Sequence, residues 1–201
     1  MNRNQTYKAG LTREQFLFHE MRITARLLYQ GYSKEAALAE IKRENLFQFP
    51  TGRMIKSIAR TCFRRYEMLH SQILQQALAN GSFSDAKQIH LYAIMRDNAL
   101  VWDFFVCVIG EKYRIQDFNF SKIDIHRFYA QLQEQNDAVH IWSDSTASKI
   151  KQVLKKNLAE CGYLETIKSN RLCPVFLCPV LKEGIWENRD MAAFPAFNYF
   201  T

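Results

Sequence analysis

The sequence predicts a mainly α-helical protein: a helical bundle with a helix-turn-helix-like N-terminal half and a winged-helix-like C-terminal module with a short β-hairpin. Three observations predict this. Apolar residues recur at three- and four-residue spacing through most of the chain. Small polar residues stand where those runs begin, and glycines where several of them end. Only around residues 164–177 does the pattern become β-like. At 201 residues the chain has room for one large domain or two small ones. The charge pattern suggests a basic helical domain over residues 1–81. A second domain over 82–201 would contain the winged segment, at about 126–180, and an aromatic C-terminal tail.

The elements follow in order. Thr12, Arg13, Glu14 and Gln15 read as a capping box opening a helix that reaches about Gln30 and stops at Gly31. Ser33 caps a second helix ending near Asn45, and Pro50 keeps Phe49 out of helix. Thr51 caps a long helix running to Asn80, where Gly81 ends it. Ser84 opens another helical stretch. From Ala99 to Ile109 the chain is apolar nearly all round, as in a buried central helix. Residues 110–124 read as loop and short turns, and Asp124 can cap a helix through Gln135.

The stretch at 143–177 is the most motif-like. A small-polar cap precedes a basic amphipathic helix whose buried stripe is Ala147, Ile150, Leu154, Leu158 and Cys161. Gly162 stops that helix. Two β-like stretches, 164–168 and 172–177, can then pair as a wing, with Lys168 and Arg171 near its tip. The tail from Ala193 to Phe200 is aromatic and has no helical period.

Charge narrows the function. Residues 1–100 hold 15 Lys and Arg against 8 Asp and Glu, whereas residues 101–201 hold 12 against 12. The whole excess of +7 lies in the first half, so a polyanionic partner is expected to touch that half. Within the helix from Thr51, Arg53, Lys56, Arg60 and Arg64 fall in an arc of roughly 80°. No acid interrupts the cations between Arg53 and Arg65, and phosphate is the natural anion to offset their repulsion. On the helix from Asp144, Ser145, Lys149, Gln152 and Lys156 share a polar, basic face suited to a DNA groove. The expected DNA contacts are therefore Arg53, Lys56, Arg60, Arg64, Ser145, Lys149, Gln152, Lys156, Lys168 and Arg171.

Other functions find less support. Five cysteines form no Cys-x-x-Cys pair. Their odd number, and the lack of a leader sequence, suggest reduced thiols in a cytoplasm. The histidines, His19, His70, His90, His126 and His140, show no metal-binding spacing on a helix, and no Gly-rich phosphate loop is present. No cofactor, metal or catalytic residue is expected. The longest apolar run, 104–109, is far short of the ~20 residues that span a bilayer, so no membrane partner is expected. A protein-binding scaffold using the aromatic tail, and an RNA-binding protein, are the alternatives to a DNA-binding module.

Several stretches together resemble a known family. They are Tyr7 to Thr12, Glu44 to Thr51, Lys87 to Ala93, Val101-Trp102-Asp103 and Val108 to Tyr113. Leu132 to Gln135, Trp142 to Thr146, Lys149 to Leu154 and Ala193 to Phe197 continue the pattern. The chain is similar along essentially its whole length to BrxA, the small protein of BREX bacteriophage-exclusion systems. The resemblance implies a cytoplasmic, mainly helical, non-enzymatic accessory component of a bacterial defence system, with other BREX proteins and double-stranded DNA as partners. It also implies a likeness to the RNA-binding antitermination protein NusB. It supplies no catalytic residues.

Overall fold

The computed structural model of the chain describes residue 7 and residues 9–200. Lys8, within the first stretch that carries the resemblance, lies outside the described residues. A 3₁₀ turn at Ala9–Thr12 precedes α1 (Phe18–Tyr29), α2 (Lys34–Arg43), α3 (Gly52–Met68), α4 (Gln72–Asn80) and α5 (Phe83–Asp97). Then come α6 (Ala99–Asp103), a π-helical segment at Phe104–Ile109, α7 (Gly110–Arg114), α8 (Lys122–Gln135) and α9 (Asp137–His140). α10 (Asp144–Glu160), α11 (Pro179–Glu187) and a 3₁₀ segment at Met191–Phe197 complete the chain. The protein is mainly helical, as its periodicity predicts, and no helix among the described residues is long and apolar enough to cross a membrane.

Two compact units form. One holds α1–α5 and α11, from Leu17 to Asp97 and from Cys178 to Arg189. The other holds the described residues up to Phe16, α6–α10 with the loop to Leu177, and the chain from Asp190 onward. Residue 81, where the sequence suggests a boundary, lies between α4 and α5 within the first of these.

In the α1–α5 unit, Ser33 caps α2 by accepting from the Ala36 amide, as expected. α2 and α3 meet over Ala37, Ile41, Phe47, Ile55, Ala59 and Phe63. Phe47 reaches that core because the chain between the helices turns through left-handed Asn45 and Gln48. The capping box expected at Thr12 does not form. The Thr12 hydroxyl donates to the Ala9 carbonyl, and α1 begins at Phe18 after a left-handed Leu17 with no side-chain cap. The long helix expected from Thr51 to Asn80 is broken. His70 adopts φ 49°, and Ser71 caps a new helix by accepting from the Leu74 amide. Ser71 carries a cap signal that continuous apolar spacing obscured.

In the α6–α10 unit, the apolar run forms a buried helical stretch, but Gly110 does not end it. Helix continues through α7, and Gly110 lets the tail approach: a Cβ there would lie 2.7 Å from the Pro195 Cβ. α8 starts at Lys122, with Ser121 as its cap and Asp124 closing the capping box by accepting from the Ser121 amide. Ser143 caps α10 as expected, and Ala147, Ile150, Leu154 and Leu158 are buried. The expected hairpin wing is not formed. Leu164 and Leu172 make one isolated antiparallel bridge, and Arg171 bridges instead to Asn119. Thr166 and Ser169 close a tight polar turn between them, which leaves too few extended residues for a strand pair. The aromatic tail is not a free appendage either. It winds into the 3₁₀ segment, buries Ala193, Phe194, Ala196 and Phe197, and accepts the Tyr163 hydroxyl at the Ala196 carbonyl.

Candidate nucleic-acid interface

The first basic surface is the start of α3. Thr51, in extended conformation, accepts from the Met54 amide and sets the helix register. That register buries Ile55, Ala59, Cys62, Phe63 and Tyr66. It leaves Arg53, Lys56 and Arg60 exposed, with no hydrogen bond or ion pair to any described residue. The first turn holds no acid, so Arg53 sits at the positive end of the helix dipole without a compensating carboxylate. That arrangement is unfavourable by about 0.3–1 kcal/mol and is relieved by a bound anion.

Arg64 lies on the same arc but is engaged. Its Nε and one terminal nitrogen donate to the two Asp97 carboxylate oxygens at 2.6 and 2.9 Å. Arg65 is 1% exposed, with its Nε 3.9 Å from Asp97 Oδ2. The acid that the local sequence lacks is thus supplied by α5. Further cations of the first half act as caps: Arg22 donates to the Ala79 and Gly81 carbonyls, and Arg26 to Ala79. Burial, then the charge of Arg26, lowers the Arg22 guanidinium from its ordinary value.

The second surface lies on α10. Ser145 and Lys149 are exposed, and the Ser145 hydroxyl is 3.0 Å from that of Ser143. Lys156 turns elsewhere and donates to Gln15 Oε1 at 2.8 Å. Gln152 faces a groove of about 720 Å³ between α8 and α10. Lys122, Ile125 and His126 of α8 line one wall, and Ser148, Lys151, Gln152 and Lys155 of α10 line the other. Ile167, Lys168 and Asn170 of the following loop also line it. Arg171 is exposed beside its bridge to Asn119. Of the ten expected contacts, the structure therefore brings only Gln152 and Lys168 into one concavity.

The chain matches the BrxA family over residues 5–189. The chain belongs to the BrxA family. A protein named BREX protein BrxA from Bacillus cereus (strain H3081.97) is 31% identical over 171 residues, 85% of each chain. Another so named, from Paramagnetospirillum magneticum, is 25% identical over 184 residues, 92% of each chain. The crystal structure of an uncharacterized protein from Magnetospirillum magneticum shares the fold, with a TM-score of 0.81 at 23% identity. It is matched over 96% of this chain and 98% of that one.

In this BrxA-family chain the groove lysines at 122, 151 and 155 were missed by sequence reasoning. The signal was present: Ser148, Lys151, Gln152 and Lys155 have i, i+3, i+4, i+7 spacing. A face chosen one notch round the helix, through Lys149 and Lys156, hid it.

Proposed function

We propose that this chain is a non-catalytic, double-stranded DNA-binding component of a BREX phage-defence system. The observation that carries the proposal is the exposed, acid-free cationic face of Arg53, Lys56 and Arg60 at the start of α3. Three cations held on one helical arc can each meet a phosphate along a duplex backbone. Ser145, Lys149 and Arg171 add exposed donors on the α6–α10 unit. Arg64 and Lys156 drop out as principal contacts because Asp97 and Gln15 already hold them. The names of the curated relatives support membership of a BREX system.

The test is binding of the full chain to a short duplex across a salt series. Changing Arg53 and Arg60 to Glu should weaken binding, and the log-log salt slope should fall by about 0.9 for every phosphate no longer neutralised. Unchanged affinity and slope in that variant would overturn the proposal.

A further inference from the structure

The groove between α8 and α10 has a composition that its surroundings do not explain. Lys122, Lys151, Lys155 and Lys168 line it, with His126 beside them and no carboxylate among the lining side chains. Yet this half of the sequence has as many acids as bases. Three acids of this unit are engaged with other cations: Asp117 and Asp124 hold Lys112 at 2.9 and 3.1 Å, and Glu111 holds Arg114 at 2.6 Å. Asp144, at the start of α10, lies near Tyr129 but does not line the groove. None of the four groove lysines makes an ion pair with a described residue. Four like charges converging on one concavity repel each other, and the arrangement is most favourable with an anion inside.

The groove is also built rather than incidental. Two helical faces at i, i+3, i+4 spacing form its walls, so the helix backbones fix the points from which the wall lysines extend. The Lys151 ammonium lies 3.4 Å from His126 Nδ1 and 5.0 Å from the centre of the Tyr129 ring, which restricts where it can point. A cation already positioned loses less conformational freedom on binding.

Size and lining define the ligand. A volume of about 720 Å³ falls in the ~300–1,000 Å³ range of small-ligand clefts and is far too small to enclose a duplex. Several cations in so small a space match the charge density of phosphates better than that of a single carboxylate. Ser148, Gln152 and Asn170 offer hydrogen bonds to sugar or base, and Ile125 and Ile167 offer an apolar surface. No Phe, Tyr or Trp lines the groove, and His126 is its one aromatic ring, so recognition rests on phosphate more than on base stacking.

We propose that this groove is a nucleotide-phosphate site, distinct from the α3 face, that takes a free nucleoside polyphosphate or a short single-stranded stretch of nucleic acid. Lys151 and Lys155 grip phosphate from α10, and Lys122 and Lys168 close on it from α8 and the loop.

The experiment is calorimetric titration of the full chain at about 0.15 M salt. The probes are ATP, a 5′-phosphorylated thymidine dinucleotide and an acidic peptide of matched charge. Binding of either phosphate probe is expected, and the tighter of the two identifies the source. K151Q combined with K155Q should weaken that binding at least about tenfold, a loss of about 1.4 kcal/mol. R127Q, which removes an exposed charge on α8 outside the groove, should leave it within about twofold. Three results would overturn the proposal: no binding of either phosphate probe, equal weakening by R127Q, or equally tight binding of the acidic peptide. The R53E, R60E variant should retain the nucleotide site, so failure of the duplex proposal and failure of this one are separate observations.

Discussion

Arg64 and Asp97 face each other across α3 and α5 in a two-pronged ion pair, with Asp97 also 3.9 Å from the buried Arg65. One carboxylate thus serves two cations that the local sequence presents as uncompensated. The Asp97 side chain is 7% exposed and that of Arg64 42%, so the buried partner of this pair is the acid.

Removing that acid strands charge. Asp97→Ala should destabilise the protein by about 2–4 kcal/mol, since it removes a buried carboxylate that holds Arg64 in a two-pronged pair and lies 3.9 Å from the buried Arg65. Arg64→Ala should cost only about 0.5–1 kcal/mol, because its half-exposed head returns to water. Urea unfolding of both variants checks the order. Equal losses would show that Asp97 does not matter to Arg65.

Lys156 joins α10 to Gln15 rather than to solvent. Lys156→Ala should lower stability by about 0.5–1.5 kcal/mol through removal of that hydrogen bond. It should leave the salt slope of DNA binding unchanged. A slope reduced by about 0.9 would return this lysine to the interface.

Asp103 accepts a 2.5 Å hydrogen bond from the Tyr7 hydroxyl. Burial raises its carboxyl above the ordinary value, and the Tyr7 hydrogen bond only partly opposes this. A raised folded-state value means that the native protein binds the proton more tightly than the unfolded chain does. Asp103 therefore favours the native state at low pH, and that contribution is lost as pH rises through its folded-state value. Asp103→Asn, which keeps an acceptor without the charge, should be at least as stable as the parent at neutral pH. Any advantage should vanish as pH falls through the carboxylate range. Denaturation midpoints across that range test this, and an advantage that grows on acidification would contradict it.

Gly110 continues helix where a glycine usually weakens it, because Pro195 occupies the space a side chain would need. Gly110→Ala should cost about 1–3 kcal/mol by pushing the tail off α7. The change should be visible as a lower thermal midpoint together with altered Tyr163 fluorescence, since Tyr163 bonds the same tail. An unchanged midpoint would mean that the tail adjusts freely.

The helical class was legible in the residues alone, because apolar spacing and polar caps are local. Ser33, Thr51 and Ser143 act as the caps their positions suggest. The apolar stripe of α10, which buries Ala147, Ile150, Leu154 and Leu158, was equally legible. Packing settled what local pattern cannot contain. Asp97 lies 33 residues from Arg64, and Gln15 lies 141 from Lys156, so neither engagement leaves a mark in the helix that carries the cation. The wing failed for a related reason. A strand exists only with a partner, and the partner of Arg171 is Asn119, far outside the hairpin. The groove, finally, depends on two helical faces meeting. Each face is written in the sequence, but their convergence is a property of packing alone.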